Sequence, residues 1–202
     1  MDFTRVLPLA LLLTNCAAQD AATPPPSMPT GAAPTPATSA ATNTSAPQSV
    51  APPTMPEAIA IPSGQKVLLK AVGKGVQIYV CKAKEGAASL YEWTLKAPEA
   101  ELFDDNGRVI GKHYGGPTWE STDGSKVVGK LHAKADAPEA TAIPWLLLDA
   151  KSNEGSGVFS SVKGIQRVAT VGGKAPAGGC DGAHTDAETR VAYGATYYMY
   201  GP

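Results

Sequence analysis

The chain has 202 residues, with 17 Lys and Arg against 18 Asp and Glu, for a formal net charge of −1. It carries no run or stripe of basic side chains that would release counterions from a phosphate backbone, which argues against nucleic acid as a partner. Hydrophobic residues make up 43% of the chain but are spread unevenly, so the length is better divided into one core-forming domain and a leader than into two small domains.

Residues 1–18 read as a signal segment. Arg5 offsets Asp2, Val6 to Leu13 forms a short apolar run, and Cys16-Ala17-Ala18 supplies small residues. A spanning helix needs about 20 apolar residues, so this run is expected to direct export rather than to anchor. Leu13-Thr14-Asn15-Cys16 resembles the lipobox of bacterial lipoproteins, which implies acylation of Cys16 and attachment to the cell envelope at the outer membrane. Several acyl chains, at ~0.8 kcal/mol per buried CH₂, would make that attachment stable. Asn15 stands where Gly, Ala or Ser is usual, so cleavage after Ala18 and free secretion stay open.

Residues 19–56 read as a disordered tether. From Ala21 to Pro56 there is no charged residue, and ten of the eighteen prolines lie here among Ala, Thr and Ser. Such a segment buries too little apolar surface to offset its ordering entropy. In polyproline II geometry, at ~3.1 Å per residue, it would reach on the order of 110 Å when fully extended. Its removal is expected to leave the melting temperature of the domain nearly unchanged.

Residues 57–202 read as a single all-β domain, an antiparallel β-sandwich or jelly-roll-like barrel, because short apolar runs are separated by Gly, Asp and Pro every ten residues or so. Val67 to Val72 and Val76 to Cys81 flank Gly73-Lys74-Gly75 as a predicted hairpin. Further strands are predicted at Tyr91 to Leu95, Arg108 to Tyr114, Thr118 to Thr122, Ser125 to Lys134, Pro144 to Lys151, Lys163 to Val171 and Arg190 to Tyr200. In the last of these, Tyr198 and Tyr200 fall on one face and Tyr193, Tyr197 and Met199 on the other, the pattern of a core strand.

The densest group of chemically able side chains is His113, Tyr114, Trp119, Glu120 and Asp123. With Gly115-Gly116-Pro117 as a three-residue loop, Tyr114 is predicted to face Thr118, His113 to face Trp119, and Lys112 to face Glu120. That register separates His113 from Glu120 by the sheet. Asp123-Gly124 reads as a two-residue turn that would set Thr122 against Ser125 and Trp119 against Val128. His113 and Trp119, with His132 beside them, then form either a stacking platform for a saccharide or other small ligand, or an aromatic packed on an imidazole in the core.

Cys81 and Cys180 would sit in an oxidising compartment, where a bridge between them closes a loop of about 100 residues; two buried free thiols are the alternative. Neither spacing suits zinc, and no metal or other cofactor is expected. The glycine pairs at Gly73-Lys74-Gly75 and Gly155-Ser156-Gly157 lack the third glycine of a dinucleotide fingerprint.

Three separated motifs, Ile143-Pro144-Trp145-Leu146-Leu147-Leu148, Ile165-Gln166-Arg167-Val168 with Gly172-Gly173-Lys174-Ala175-Pro176, and His113 to Glu120 with Asp123-Gly124-Ser125, resemble the exported family of the domain of unknown function 3455 over about Ile61 to Tyr200. The resemblance implies an exported domain and carries no established reaction. The residues therefore lead to a non-catalytic saccharide or small-ligand module of the cell envelope as the first expectation. The alternatives are a hydrolase that uses His113 with Glu120 or Asp123, and a purely structural surface protein.

Overall fold

Side chains alternating with a two-residue period, broken by turn residues, build eight strands in chain order: β1 (Lys66–Lys84), β2 (Ala87–Phe103), β3 (Val109–Tyr114), β4 (Thr118–Ser121), β5 (Lys126–Ala135), β6 (Trp145–Glu154), β7 (Gly164–Gly172) and β8 (Glu188–Gly201). This computed structural model describes residues 55–202; the expected signal segment, Cys16 and the expected tether up to Thr54 lie outside the described residues. Each strand pairs antiparallel with its neighbour in the chain, and β8 pairs back onto β1, so the sheet closes into a barrel. The expected all-β antiparallel class is found, with closure through next-neighbour pairing instead of a crossover.

Two sequence-based expectations are corrected. The segment Gly73-Lys74-Gly75 is not a hairpin: β1 runs through it without a break and pairs there with both β2 and β8. Glycine marks close approach rather than a turn at this point, because a Cβ on Gly73 would lie 2.6 Å from the Tyr197 ring. The β4–β5 turn is also one residue longer than predicted. Trp119 faces Val127 rather than Val128, and Ser121 donates its N–H to Ser125 O. Thr122-Asp123-Gly124 is thus a three-residue loop that closes on Gly124 at φ 84°, the left-handed position such loops require. The β3–β4 hairpin has the predicted register, with Tyr114 against Thr118, His113 against Trp119 and Lys112 against Glu120.

The barrel interior is filled by Ala71, Leu102, Trp119, Val127, Leu148, Ile165, Tyr197 and Met199, all buried. The β6–β7 connection folds Phe159 and Val162 into this core, and Asn153 Nδ2 donates to both of their carbonyls, at 2.7 and 3.1 Å. On the outside of the barrel a second cluster forms. Tyr198, Tyr200, Leu147 and Val168 are covered by Ile59 from the 3-10 turn Glu57–Ile59, with Met55 and Ile61 packed alongside. Gln166 Nε2 donates to Ile59 O at 2.7 Å, and Tyr200 Oη donates to Gln166 Oε1 at 3.0 Å, so both faces of β8 are buried. Met55 and Pro56, read from sequence as the end of the tether, already belong to this packing: Pro56 O accepts from Ile59 N.

Cys81 and Cys180 form a disulfide with Cα atoms 5.3 Å apart. It fastens the long β7–β8 connection to β1, where Cys81 N donates to Ala187 O and Asp186 N donates to Cys81 O. Trp93 Nε1 holds the same connection through Gly178 O at 2.9 Å. Thermal melting should report both anchors. Reducing the disulfide, or the pair Cys81→Ala and Cys180→Ala, is expected to lower stability by about 2–4 kcal/mol, and Ile59→Ala by about 2–5 kcal/mol. Melting temperatures unchanged by either would refute these roles.

Candidate functional site

Strands β3 and β4 are short, and their Gly115-Gly116-Pro117 turn sets His113 and Trp119 side by side on the inner face. The two rings stack at 4.2 Å between centroids with planes 15° apart, and Tyr197 of β8 meets both edge-on at 5.4 and 5.5 Å. His113 is 3% exposed and Trp119 is 1% exposed, so the pair lies inside the barrel rather than on a surface platform. His132 does not join them; it is exposed and bonded to Asp149 Oδ2 at 3.0 Å.

His113 Nδ1 lies 2.8 Å from Thr118 O, and since a carbonyl only accepts, Nδ1 carries the proton. Burial holds the imidazole pKa down to about 4, against a smaller opposing effect of the Thr118 hydrogen bond, so the ring is neutral at pH 7.

The other three candidates stand elsewhere. Tyr114 and Glu120 project from the outer face, where Tyr114 Oη donates to Glu120 Oε2 at 2.7 Å and lowers the Glu120 pKa, helped by Lys112 and Lys126. Asp123 organises the β4–β5 turn: it accepts from Ser125 Oγ at 2.6 Å, Ser125 N at 2.8 Å and Val158 N at 2.8 Å, which brings its pKa to about 2. Neither carboxylate is bonded to His113, so the acid–base dyad a hydrolase would need is not assembled.

Two concavities adjoin the hairpin. The outer one, about 730 Å³, is lined by Lys74, Glu99, Lys112, Tyr114, Glu120 and Arg190 among others. Its charges answer one another, with Arg190 2.7 Å from Glu99 and Lys112 3.5 Å from Glu120. The inner one, about 310 Å³, is a cup at the barrel end that carries the β3–β4 turn. Its apolar walls include Leu95, Pro98, Pro117, Leu131, Leu146 and Leu148, and Leu95 and Leu131 are 52% and 53% exposed. His113, Trp119, Gln77 and Arg167 also line it.

Gln77 and Arg167 were not singled out from sequence. Gln77 is 1% exposed and its Nε2 has no hydrogen-bond partner among the described residues. Arg167 donates through Nε and one Nη to Pro144 O, at 3.3 and 2.8 Å. The signal was available in the two-residue period: Arg167 shares its face of β7 with the fully buried Ile165, so the alternation itself points the guanidinium inward.

The depressed His113 pKa makes a pH prediction. Between about pH 6.5 and 4 the unfolded chain binds the proton and the folded one does not, so stability falls as pH drops through that window, by about 3 kcal/mol in all. His113→Phe keeps a ring on Trp119 and removes the titration. Urea melts at pH 7 and 4.5 should show a smaller loss for the variant than for the native protein; equal losses would assign the acid sensitivity to other groups.

Comparison with known proteins bears on the whole barrel. No curated protein and no solved structure matches the chain. The family model for the protein of unknown function DUF3455 matches residues 62–201, from just before β1 to the end of β8. The chain therefore belongs to the DUF3455 family.

Proposed function

We propose that the domain is a non-catalytic binding module that takes one small ligand into the inner cup. The observation that carries this reading is the cup itself: about 310 Å³ of space, with Leu and Pro walls and N–H donors of Gln77 and Arg167 along its lining. An eight-stranded barrel has an interior just wide enough to be filled by side chains or to hold one small ligand. Here the end near Phe159 and Val162 is filled and the cup remains open. A volume at the lower end of the ligand-pocket range, mostly apolar with a few polar groups, suits a ligand of modest size.

The stack of His113 on Trp119 forms part of the cup lining and is not a free platform. Trp119→Ala would remove a buried aromatic and cost about 3–5 kcal/mol, which makes it a poor binding control. Leu131→Trp at the exposed rim is better, since it narrows the mouth without touching the core. Thermal shift with a panel of small apolar compounds and envelope glycans should find ligands whose affinity drops at least tenfold in Leu131→Trp and is unchanged in Tyr114→Ala. The opposite pattern, with glycans lost in Tyr114→Ala, would move the site to the outer groove and overturn the cup.

In the same reading the module is displayed on the cell envelope, exported by residues 1–18 and held by acylated Cys16 at the end of the 19–56 tether. The Cys81–Cys180 disulfide supports an oxidising compartment. Fractionation should place the native chain with membranes and Cys16→Ser in the soluble fraction; identical partitioning would refute the anchor.

A further inference from the structure

The lining of the cup departs from what a barrel interior needs for stability alone. Arg167 is half-buried, and a guanidinium partly withdrawn from water is best satisfied by an anion. Among the described residues Arg167 makes no ion pair, and its hydrogen bonds both go to one neutral carbonyl, Pro144 O. That leaves three of its five N–H donors for another partner. The polar groups nearest in effect are the hydroxyls of Tyr79, Tyr193 and Tyr197, and burial raises the pKa of all three, so they remain neutral and supply no counter-charge. Their hydroxyls are engaged already: Tyr79 Oη donates to Gly173 O at 2.6 Å, and Tyr193 and Tyr197 share a hydrogen bond at 3.2 Å. Gln77 adds a buried amide nitrogen without an acceptor. The lining of the cup thus has one cation without a counter-ion and two neutral donors without acceptors, Gln77 Nε2 and Trp119 Nε1, among leucine and proline walls.

We infer that the ligand of the cup is a small amphiphilic carboxylic acid, bound as its anion, with the carboxylate received by Arg167 and Gln77 and the apolar body held between Leu95, Leu131, Leu146 and Leu148. The inference rests on the cup being the binding site and adds the class of ligand. A carboxylate fits because the planar fork of an arginine presents two parallel N–H groups to its two oxygens. The cavity, about 310 Å³, has room for on the order of ten non-hydrogen atoms at ~30 Å³ each, the size of an eight-carbon chain acid or a short aryl acid. Fully charged, multiply hydrated ligands are disfavoured by the same walls that suit an aliphatic tail.

The test uses the oxidised domain and four probes: octanoate, octan-1-ol, octylamine and acetate, titrated by calorimetry at pH 7. Octanoate should bind at least tenfold more tightly than octan-1-ol, octylamine should be the weakest of the three chain compounds, and acetate should bind too weakly to measure. Arg167→Gln should bring octanoate down to the level of octan-1-ol, and Arg167→Lys should retain part of the preference. Because Arg167→Gln also removes the bonds to Pro144 and can impair folding, the ratio of octanoate to octan-1-ol in the native protein decides the question by itself. Equal affinity for octanoate and octan-1-ol, both weakened by Leu131→Trp, would overturn the carboxylate while leaving the cup as the site. Octanoate binding untouched by Leu131→Trp would overturn both, and failure of octanoate to bind while neutral compounds fill the cup would overturn the carboxylate alone.

Discussion

Closure of the sheet is the constraint from which the other features follow. β1 pairs with β8 from Lys66 to Val80 while its other edge pairs with β2 from Val72 to Lys84, so the strand is held along both edges from Val72 to Val80. A closed barrel has no free edge to recruit another chain, but it fixes the space inside. Three aromatic rings, His113, Trp119 and Tyr197, share that space, and they fit only because the facing positions are nearly empty. A Cβ on Gly73 would meet Tyr197 at 2.6 Å, and one on Gly129 would meet Trp119 at 3.0 Å. Rings and glycines are therefore one packing decision made on different strands, with the rings supplying the buried area and the glycines the room.

The interior is also divided along its axis. Toward the β6–β7 connection it is apolar and complete, with Phe159, Val162 and Ile165 fully buried. Toward the β3–β4 turn it becomes polar and incomplete, with Gln77 and Arg167 lining open space. A buried polar group without a partner destabilises a fold, and Gln77 Nε2 is such a group. Residues that break the rule of consistency between burial and polarity concentrate where a protein binds something. This asymmetry is the feature that the proposed binding of a ligand at the open end rests on.

Much of this was legible in the chain, and what was not has a physical reason. Strand positions followed from period-two alternation, and the β3–β4 register followed from a loop with one sensible closure, Gly115-Gly116-Pro117. The disulfide followed from two cysteines in a domain whose leader reads as an export signal. The continuity of β1 was hidden because a glycine that makes room for Tyr197 and a glycine that turns the chain are written with the same letter. The β4–β5 register was missed because Asp123-Gly124 serves both a two-residue turn and the end of a three-residue loop. Here Asp123 reaches beyond its own turn to Val158 N, a contact between distant segments that no local pattern encodes. Above all, the sequence placed His113 and Trp119 on one face, but only closure decides that this face is the inside.

The disulfide acquires a second meaning from its position. Cys180 lies in the β7–β8 connection, which the bridge, the Cys81–Ala187 backbone hydrogen bond and the Trp93–Gly178 contact all tie to the far ends of β1 and β2. Those ends stand on the same side of the barrel as the β3–β4 turn and the cup. A connection of this length left free would move. Stapled to β1, it is ordered by folding itself, while the cup beside it is lined only by strand residues and by the β3–β4 turn. If the cup takes a ligand as proposed, walls built from paired strands and one tight turn should change little on binding.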